Sequence, residues 1–221
     1  MSDYNAEDVR NIALVGHAGS GKTTLVEALL AATGEIPAPG SVAKGTAVCD
    51  FDPIEKELQH SLDSAITSFN AQGKHINLVD TPGYPDFLGR AISVLPAVET
   101  AAIVINAQAG MESLTQRMWN AADNRSLCRI IIVNKIDLVA DDDDREQILA
   151  FVGQNATQLL GMRPQIFPVS ARQALEAKLA SPSASGNGSE TSKLWEASEF
   201  AALEDYILET LDASERLQLK L

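Results

Sequence analysis

The octapeptide GHAGSGKT, at residues 16–23, decides the fold class predicted for this chain. It matches the pattern G-x-x-x-x-G-K-[ST], and it lies between an apolar, β-branched segment at 12–15 and a helical pattern at 22–32. Glycines in such a loop allow successive backbone N–H groups to converge on a phosphate at the N-terminus of a helix. The octapeptide is therefore predicted to bind the phosphates of a nucleotide.

Other short apolar segments alternate with helical patterns along the chain. Buried strands are predicted at 76–79, 102–105, 130–133 and 165–169, and a half-exposed strand at 65–69 is predicted to form a hairpin with the next one. Helices are predicted at 86–97, 112–125 and 145–160. This alternation indicates an α/β P-loop NTPase fold with a mostly parallel sheet and helices on both faces. Ligands of such sheets bind at the carboxyl ends of the strands.

Three regions are predicted from changes in composition. A nucleotide-binding domain spans 1–180, and within it residues 33–63 form a long loop, which is functional or mobile. A Ser/Gly-rich linker follows at 181–192. A C-terminal helix is predicted at 193–221, where Phe200, Leu203, Ile207 and Leu211 share one face. This helix either packs on the domain or leads to a further domain.

Charge and composition exclude several classes of function. The 221 residues carry 17 basic and 30 acidic side chains, a net charge of −13, which disfavours a broad basic surface for nucleic acid or anionic lipid. Aromatic residues make up 5%, too few for a stacking platform on single strands, and two cysteines form no disulfide framework. The composition also leads us to expect no binding to a specific nucleic acid sequence. Because the N-terminus is not leader-like and no long apolar run is present, a cytoplasmic protein is expected.

The loop chemistry predicts a phosphate and metal site. Lys22 is placed to reach the β- and γ-phosphates, and the Thr23 hydroxyl to ligate Mg²⁺. Asp80 ends the strand at 76–79 and begins the sequence DTPG, so its carboxylate is expected at the metal and the Gly83 amide at the γ-phosphate. Ser61 is a third candidate metal ligand. The predicted phosphate-binding residues are Gly16, His17, Ala18, Gly19, Ser20, Gly21, Lys22, Thr23 and Thr24; for His17, filling the loop is an equally good interpretation.

The tetrapeptide Asn134-Lys135-Ile136-Asp137, after the strand at 130–133, predicts a guanine pocket. The Asp137 carboxylate is suited to accept hydrogen bonds from guanine N1 and N2. Adenine lacks the N2 donor, so GTP and GDP are the expected ligands. Lys135 would lay its stem over the ring. Ser170 and Ala171 would close the pocket with a backbone amide toward O6.

Hydrolysis of GTP needs a residue that orients the attacking water, and Tyr84 directly follows DTPG. A phenol with a pKa near ~10 is a poor general base at neutral pH, but it can hydrogen-bond a water. An aromatic side chain that packs on the loop is the alternative interpretation. The candidate catalytic set is therefore Tyr84, Lys22 and Gly83, with turnover that is slow without a partner.

Residues 10–137 resemble the G domain of translational GTPases. The stretches that carry the resemblance are NIALVGHAGSGKTTLVEALL, GKHINLVDTPGYPDFLG and IIIVNKID. The resemblance is to elongation factor G and its elongation-factor-G-like paralogues. It implies a magnesium-dependent GTPase whose partner is the ribosome. It also implies that Ser61 replaces the switch threonine, Leu58-Gln59 the usual Arg-Gly, and Tyr84 the catalytic histidine.

Residues 145–221 show a different resemblance. The stretch LWEASEFAALEDYILETLDASERLQLKL, with the segment before it, looks like the end of the G domain of bacterial dynamin-like GTPases. That resemblance implies a membrane partner. Three classes of function follow: a translation-factor-like GTPase, a dynamin-like GTPase domain, and a GTP-binding switch whose hydrolysis is impaired by Tyr84.

Overall fold

The computed structural model describes residues 4–160, 164–179 and 188–207. In this part of the chain six strands form one sheet in the order β2-β3-β1-β4-β5-β6. All neighbouring strands are parallel except β2, which is antiparallel to β3. The strands are β1 (Val9–Val15), β2 (Ala65–Ala71), β3 (Lys74–Asp80), β4 (Thr100–Asn106), β5 (Cys128–Asn134) and β6 (Ile166–Val169). The predicted α/β P-loop fold is confirmed.

Helices cover both faces of the sheet. They are α1 (Lys22–Thr33), α2 (Pro53–Leu58), α3 (Leu88–Ser93), α4 (Ser113–Asp123), α5 (Asp142–Leu160), α6 (Ala171–Leu179), α7 (Gly188–Ala197) and α8 (Phe200–Asp205). Because side chains alternate along a strand, Ile12 and Leu14 of β1 join a core with α1, α6 and α8. Ala13 and Val15 join the opposite core, with α3, α4 and α5.

The predicted loop at 33–63 is wrong in one part, since it contains the helix α2. Asp52 accepts a hydrogen bond from the Ile54 amide at 2.8 Å, and Glu55 accepts one from the Asp52 amide at 3.3 Å. Together with Pro53 in the first turn, these bonds form a capping box that starts a helix without any long apolar periodicity.

The single helix predicted at 86–97 is also wrong. The structure has a 3₁₀ turn at Pro85–Phe87, then α3, then a second 3₁₀ turn at Leu95–Ala97. Pro96 lacks the N–H that an α-helical bond would need, so α3 ends before it.

The C-terminal region differs from its prediction as well. The helix α7 begins at Gly188, inside the predicted linker, and the predicted helix from 193 is broken between α7 and α8, where Glu199 has a φ of +52°. Phe200, Leu203 and Ile207 are buried in the core that contains α1. Leu211 and the first part of the linker lie outside the described residues. The domain boundaries stay a prediction.

Within the described ranges, no helix combines the length and the apolar character that crossing a membrane requires.

Candidate functional site

The loops that follow β1, β3, β5 and β6 meet at one edge of the sheet, as parallel strands dictate. The first two border a cavity of about 300 Å³, with Lys135 of the third on its wall. Its lining comes from the phosphate loop and the start of α1, the DTPG loop, Val42 before α2, the segment after α2, and Lys135. The lining residues are Ala18, Gly19, Gly21, Lys22, Thr23, Thr24, Val42, Gln59, His60, Ser61, Thr81, Gly83, Tyr84 and Lys135.

The Lys22 ammonium group is held inside the phosphate loop. It donates to the carbonyl oxygens of Gly16 and His17, each at 3.0 Å, and the side chain is buried. Burial lowers the pKa of Lys22 to about 8, although the charge of Asp80 partly opposes this shift. The loop therefore fixes one cation where a phosphate bound to its amides would lie.

Thr23 and Asp80 lie together beside that cation. The Thr23 hydroxyl donates to Asp80 Oδ2 at 2.6 Å, while the buried Oδ1 of Asp80 has no hydrogen-bond partner among the described residues. Burial raises the pKa of Asp80 to about 6, against the opposing effects of Lys22 and the Thr23 hydroxyl. A hydroxyl and a carboxylate with an unpaired oxygen are the hard oxygen donors that Mg²⁺ prefers.

The raised pKa of Asp80 predicts a pH dependence of stability. The carboxyl has an ordinary pKa of 3.8 and a folded-state pKa of about 6, so the folded protein binds more protons than the unfolded chain between these values. Stability therefore falls as the pH rises through this window, by on the order of 3 kcal/mol from this group. Thermal unfolding in EDTA should show a smaller loss of stability from pH 4 to 7.5 in Asp80→Asn than in the wild type.

Asp86→Asn is the matched control, because Asp86 is exposed in the turn before α3. This variant should lose as much stability as the wild type over the same pH range. An Asp80→Asn protein with the full wild-type pH dependence would contradict the assignment.

Ser61 lies on the cavity wall, but its hydroxyl donates to Asp50 Oδ1 at 3.3 Å. Asp50 is buried, its Oδ2 lacks a partner among the described residues, and burial raises its pKa. The structure therefore directs the hydroxyl of Ser61 to Asp50, and not to the pair formed by Thr23 and Asp80.

Two buried glutamates hold the segment that contains Ser61. Glu27 of α1 accepts hydrogen bonds from the Gly40 and Val48 amides, both at 2.6 Å. Glu55 of α2 accepts one from the Leu62 amide at 2.8 Å. Sequence reasoning missed both residues. The available signals were an acidic residue on the buried side of α1 and the capping box of α2.

His17 packs beneath the phosphate loop. Its Nε2 accepts a hydrogen bond from the Asn106 amide at 3.3 Å, and its Nδ1 lies 2.8 Å from the Ala18 carbonyl and 3.3 Å from a Glu112 oxygen. These bonds attach the loop to the end of β4. They fit the interpretation in which the His17 side chain fills the loop.

Asn134 joins three of the loops. Its Nδ2 donates to the Ser20 carbonyl at 3.0 Å, and its Oδ1 accepts from the amides of Lys135 and Ala171 at 2.8 and 3.1 Å. A Cβ on Gly21, which has a φ of +88°, would lie 2.4 Å from that Nδ2. A backbone amide of Ser170 or Ala171 was expected to face guanine O6, but here the Ala171 amide bonds to Asn134 and the Ser170 amide donates to the Ser198 carbonyl at 2.9 Å.

Asp137 forms an ion pair that sequence reasoning missed. Its Oδ2 accepts bonds from Arg172 Nη2 at 2.8 Å and Nε at 3.2 Å. Burial favours a higher pKa, but bonds from Ser170 and Arg172 outweigh it and lower the pKa of Asp137. The carboxylate is therefore kept ionised, as an acceptor for guanine must be. The sequence feature that could have indicated this ion pair is the arginine directly after Ser170 and Ala171.

Tyr84 is 41% exposed, and its ring packs against His60, with the ring centroids 4.3 Å apart. Gly83 approaches the phosphate loop so closely that a Cβ there would lie 2.6 Å from Lys22 Nζ and from the Ala18 amide nitrogen. The DTPG loop therefore contacts the phosphate loop through bare backbone.

Replacing Gly83 by alanine should weaken GTP binding by about tenfold or more, because backbone and a buried cation must move to admit the methyl group. A titration with a fluorescent GTP analogue measures the affinity. Gly89→Ala is the control, since nothing lies within 4 Å of a Cβ there. Equal affinities in the two variants would show that the close approach is not needed for binding.

This arrangement of loops defines a P-loop nucleotide-binding domain, and comparison with known proteins identifies its family. The family model described as the elongation factor Tu GTP binding domain matches residues 7–213. The chain therefore belongs to the elongation factor Tu GTP-binding domain family.

Individual relatives are translation factors in name. The chain is 44% identical over 129 residues to an elongation factor G-like protein of Mycobacterium tuberculosis, covering 58% of this chain and 18% of that protein. It is 32% identical over 168 residues to the mitochondrial ribosome-releasing factor 2 of Yarrowia lipolytica, covering 76% and 21%. This chain thus spans about a fifth of the length of these relatives.

Solved structures show the same fold. A crystal structure of a protein from Thermus thermophilus has a TM-score of 0.63 at 35% identity, covering 71% of this chain and 23% of that one. The bacterial selenocysteine-specific elongation factor EF-Sec has a TM-score of 0.61 at 21% identity, covering 89% and 29%.

The family match also bears on the C-terminal stretch. It extends to residue 213, across most of the region that resembles dynamin-like GTPases. The translation-factor class is therefore favoured over the dynamin-like alternative, and the dynamin-like resemblance stays a prediction.

Proposed function

We propose that this chain is the GTPase domain of an elongation-factor-G-like translation factor that cycles between GTP and GDP. The observation that carries the proposal is the meeting of the phosphate, DTPG, NKID and Ser170-Ala171 loops at one sheet edge. A chain of the elongation factor Tu GTP-binding domain family with these loops intact retains the groups for phosphate and guanine recognition.

Each group has one task in this proposal. The phosphate-loop amides and Lys22 hold the phosphates, while Asn134 and Asp137 select guanine. Mg²⁺, when bound, neutralises charge on the β- and γ-phosphates, and Thr23 and Asp80 are the residues that fit it. The Gly83 amide would sense the γ-phosphate, which couples the nucleotide state to the DTPG loop.

The ribosome is the proposed partner, in a cytoplasmic setting. The support is the similarity to an elongation factor G-like protein and to ribosome-releasing factor 2. Single-turnover hydrolysis of GTP by the purified chain, with and without 70S ribosomes, tests the proposal. A rate on the order of 10⁻⁴ to 10⁻² per second is expected without a partner, and acceleration with ribosomes. Tight GTP binding with a rate that ribosomes leave unchanged would remove the ribosome as partner.

Tyr84 favours a second candidate, a GTP-binding switch that hydrolyses GTP very slowly. A phenol cannot accept a proton from water as readily as an imidazole near neutral pH. Unhydrolysed GTP that stays bound for hours, even with ribosomes present, would support this candidate.

A further inference from the structure

His60 is a half-buried residue in the turn that follows α2, on the wall of the cavity that Lys22, Gly83 and Tyr84 also line. The preceding residue, Gln59, has a φ of +56°, a left-handed backbone conformation that ends the helix. The imidazole therefore faces the same cavity as the phosphate-loop lysine, although it comes from a different segment.

The hydrogen bond of His60 defines which ring nitrogen carries hydrogen. Nδ1 lies 2.9 Å from the Leu58 carbonyl oxygen. A carbonyl only accepts hydrogen bonds, so Nδ1 is the donor and Nε2 of the neutral ring is an acceptor. No residue in the described ranges donates to Nε2. This nitrogen is available to accept a hydrogen bond from a water in the cavity.

The ring of Tyr84 packs against the His60 imidazole. The ring planes of His60 and Tyr84 are inclined by 46°, and the centroids lie 4.3 Å apart, so the two rings are in direct contact. Tyr84 follows Gly83, whose backbone contacts the phosphate loop. The imidazole is thus supported by the DTPG loop and bonded to the turn after α2.

We propose that His60 orients the attacking water during GTP hydrolysis and that Tyr84 acts on it as a positioning residue. This inference rests on the proposed GTPase activity. The water oxygen bonds to the γ-phosphorus, the bond from that phosphorus to the β–γ bridging oxygen breaks, and GDP leaves with the bridging oxygen. The water proton departs on the phosphate product, while His60 Nε2 accepts only a hydrogen bond.

Single-turnover hydrolysis, measured together with GTP affinity, tests the assignment in the full chain. His60→Phe keeps a ring against Tyr84 but removes the acceptor, so the hydrolysis rate should fall by about 10²-fold with GTP affinity changed less than about threefold. His60→Gln, which retains a hydrogen-bonding group, should recover part of the rate. Tyr84→Ala removes the ring that supports the imidazole, so it should lower the hydrolysis rate as His60→Phe does.

His75→Phe is the matched control, because His75 lies on β3, outside the cavity lining, and contacts Tyr4 and Asn70. It should hydrolyse GTP at the wild-type rate. A His60→Phe protein that binds and hydrolyses GTP as the wild type does would overturn the role of His60 but leave the proposed GTPase activity standing. A wild type that binds GTP without hydrolysing it would overturn both this role and the proposed GTPase activity.

Discussion

Replacing Lys22 by alanine is expected to abolish GTP binding at micromolar nucleotide. The ammonium group is buried, and the carbonyl oxygens of Gly16 and His17 already point it into the phosphate loop. Removing one partner of a buried, hydrogen-bonded charge pair costs about 2–5 kcal/mol, a loss of roughly 30- to several-thousand-fold in affinity. Isothermal titration with GTP and with GDP measures the effect.

Lys22→Met separates charge from packing, because it keeps most of the aliphatic stem, and it should lose affinity like Lys22→Ala. Lys74→Ala is the control. Its ammonium group pairs with Asp8 at 2.9 Å, outside the lining of the cavity, and the pair is partly exposed, so it should contribute little to stability. Retained tight binding in both Lys22 variants would refute the assignment of the phosphate loop.

Replacing Asp137 by asparagine is expected to reduce GTP affinity by about 10²-fold or more and to weaken the preference for guanine. In the proposed pocket the carboxylate would accept two hydrogen bonds from guanine N1 and N2, whereas an amide would turn an N–H donor toward one of these donors. Sites built to match such groups discriminate by up to roughly 10⁴–10⁵. Competition of GTP, ATP and xanthosine triphosphate against a fluorescent guanine nucleotide measures the change.

Arg172→Ala tests whether the ion pair supports that recognition. Arg172 bonds to Asp137 Oδ2, and its side chain is 58% exposed, so the variant should lose less affinity than Asp137→Asn does. Xanthosine triphosphate, which has a carbonyl where guanine has the N2 amino group, should gain relative affinity in Asp137→Asn alone. Unchanged GTP affinity in Asp137→Asn would disprove the guanine pocket.

Much of the fold and of the candidate site was predictable because it depends on residues that are close together in the sequence. The apolar runs of β1, β4 and β5 are buried on both faces, so their sequences identify them as strands of a covered sheet. The phosphate loop needs glycine, lysine and threonine in consecutive order. Each of these signals is complete within about ten residues of chain.

The predictions that were wrong concern segments whose conformation depends on local capping or on distant partners. The helix α2 is started by Asp52 and Glu55 and lacks apolar periodicity. The sequence around Glu27 predicts a helix, but it does not predict what the carboxylate binds. That carboxylate accepts hydrogen bonds from the Gly40 and Val48 amides, which are 13 and 21 residues away. Nothing near Glu27 in sequence indicates these partners.

The order of the motifs along the chain is thus enough to establish a P-loop domain with loops for phosphate and guanine, since each loop follows its own strand and parallel strands end at one edge. The contact of His60 with Tyr84, the ion pair between Asp137 and Arg172, and the direction of the Ser61 hydroxyl toward Asp50 follow from packing alone. They join residues 11 to 35 positions apart, and such contacts form only when the folded chain brings those residues together.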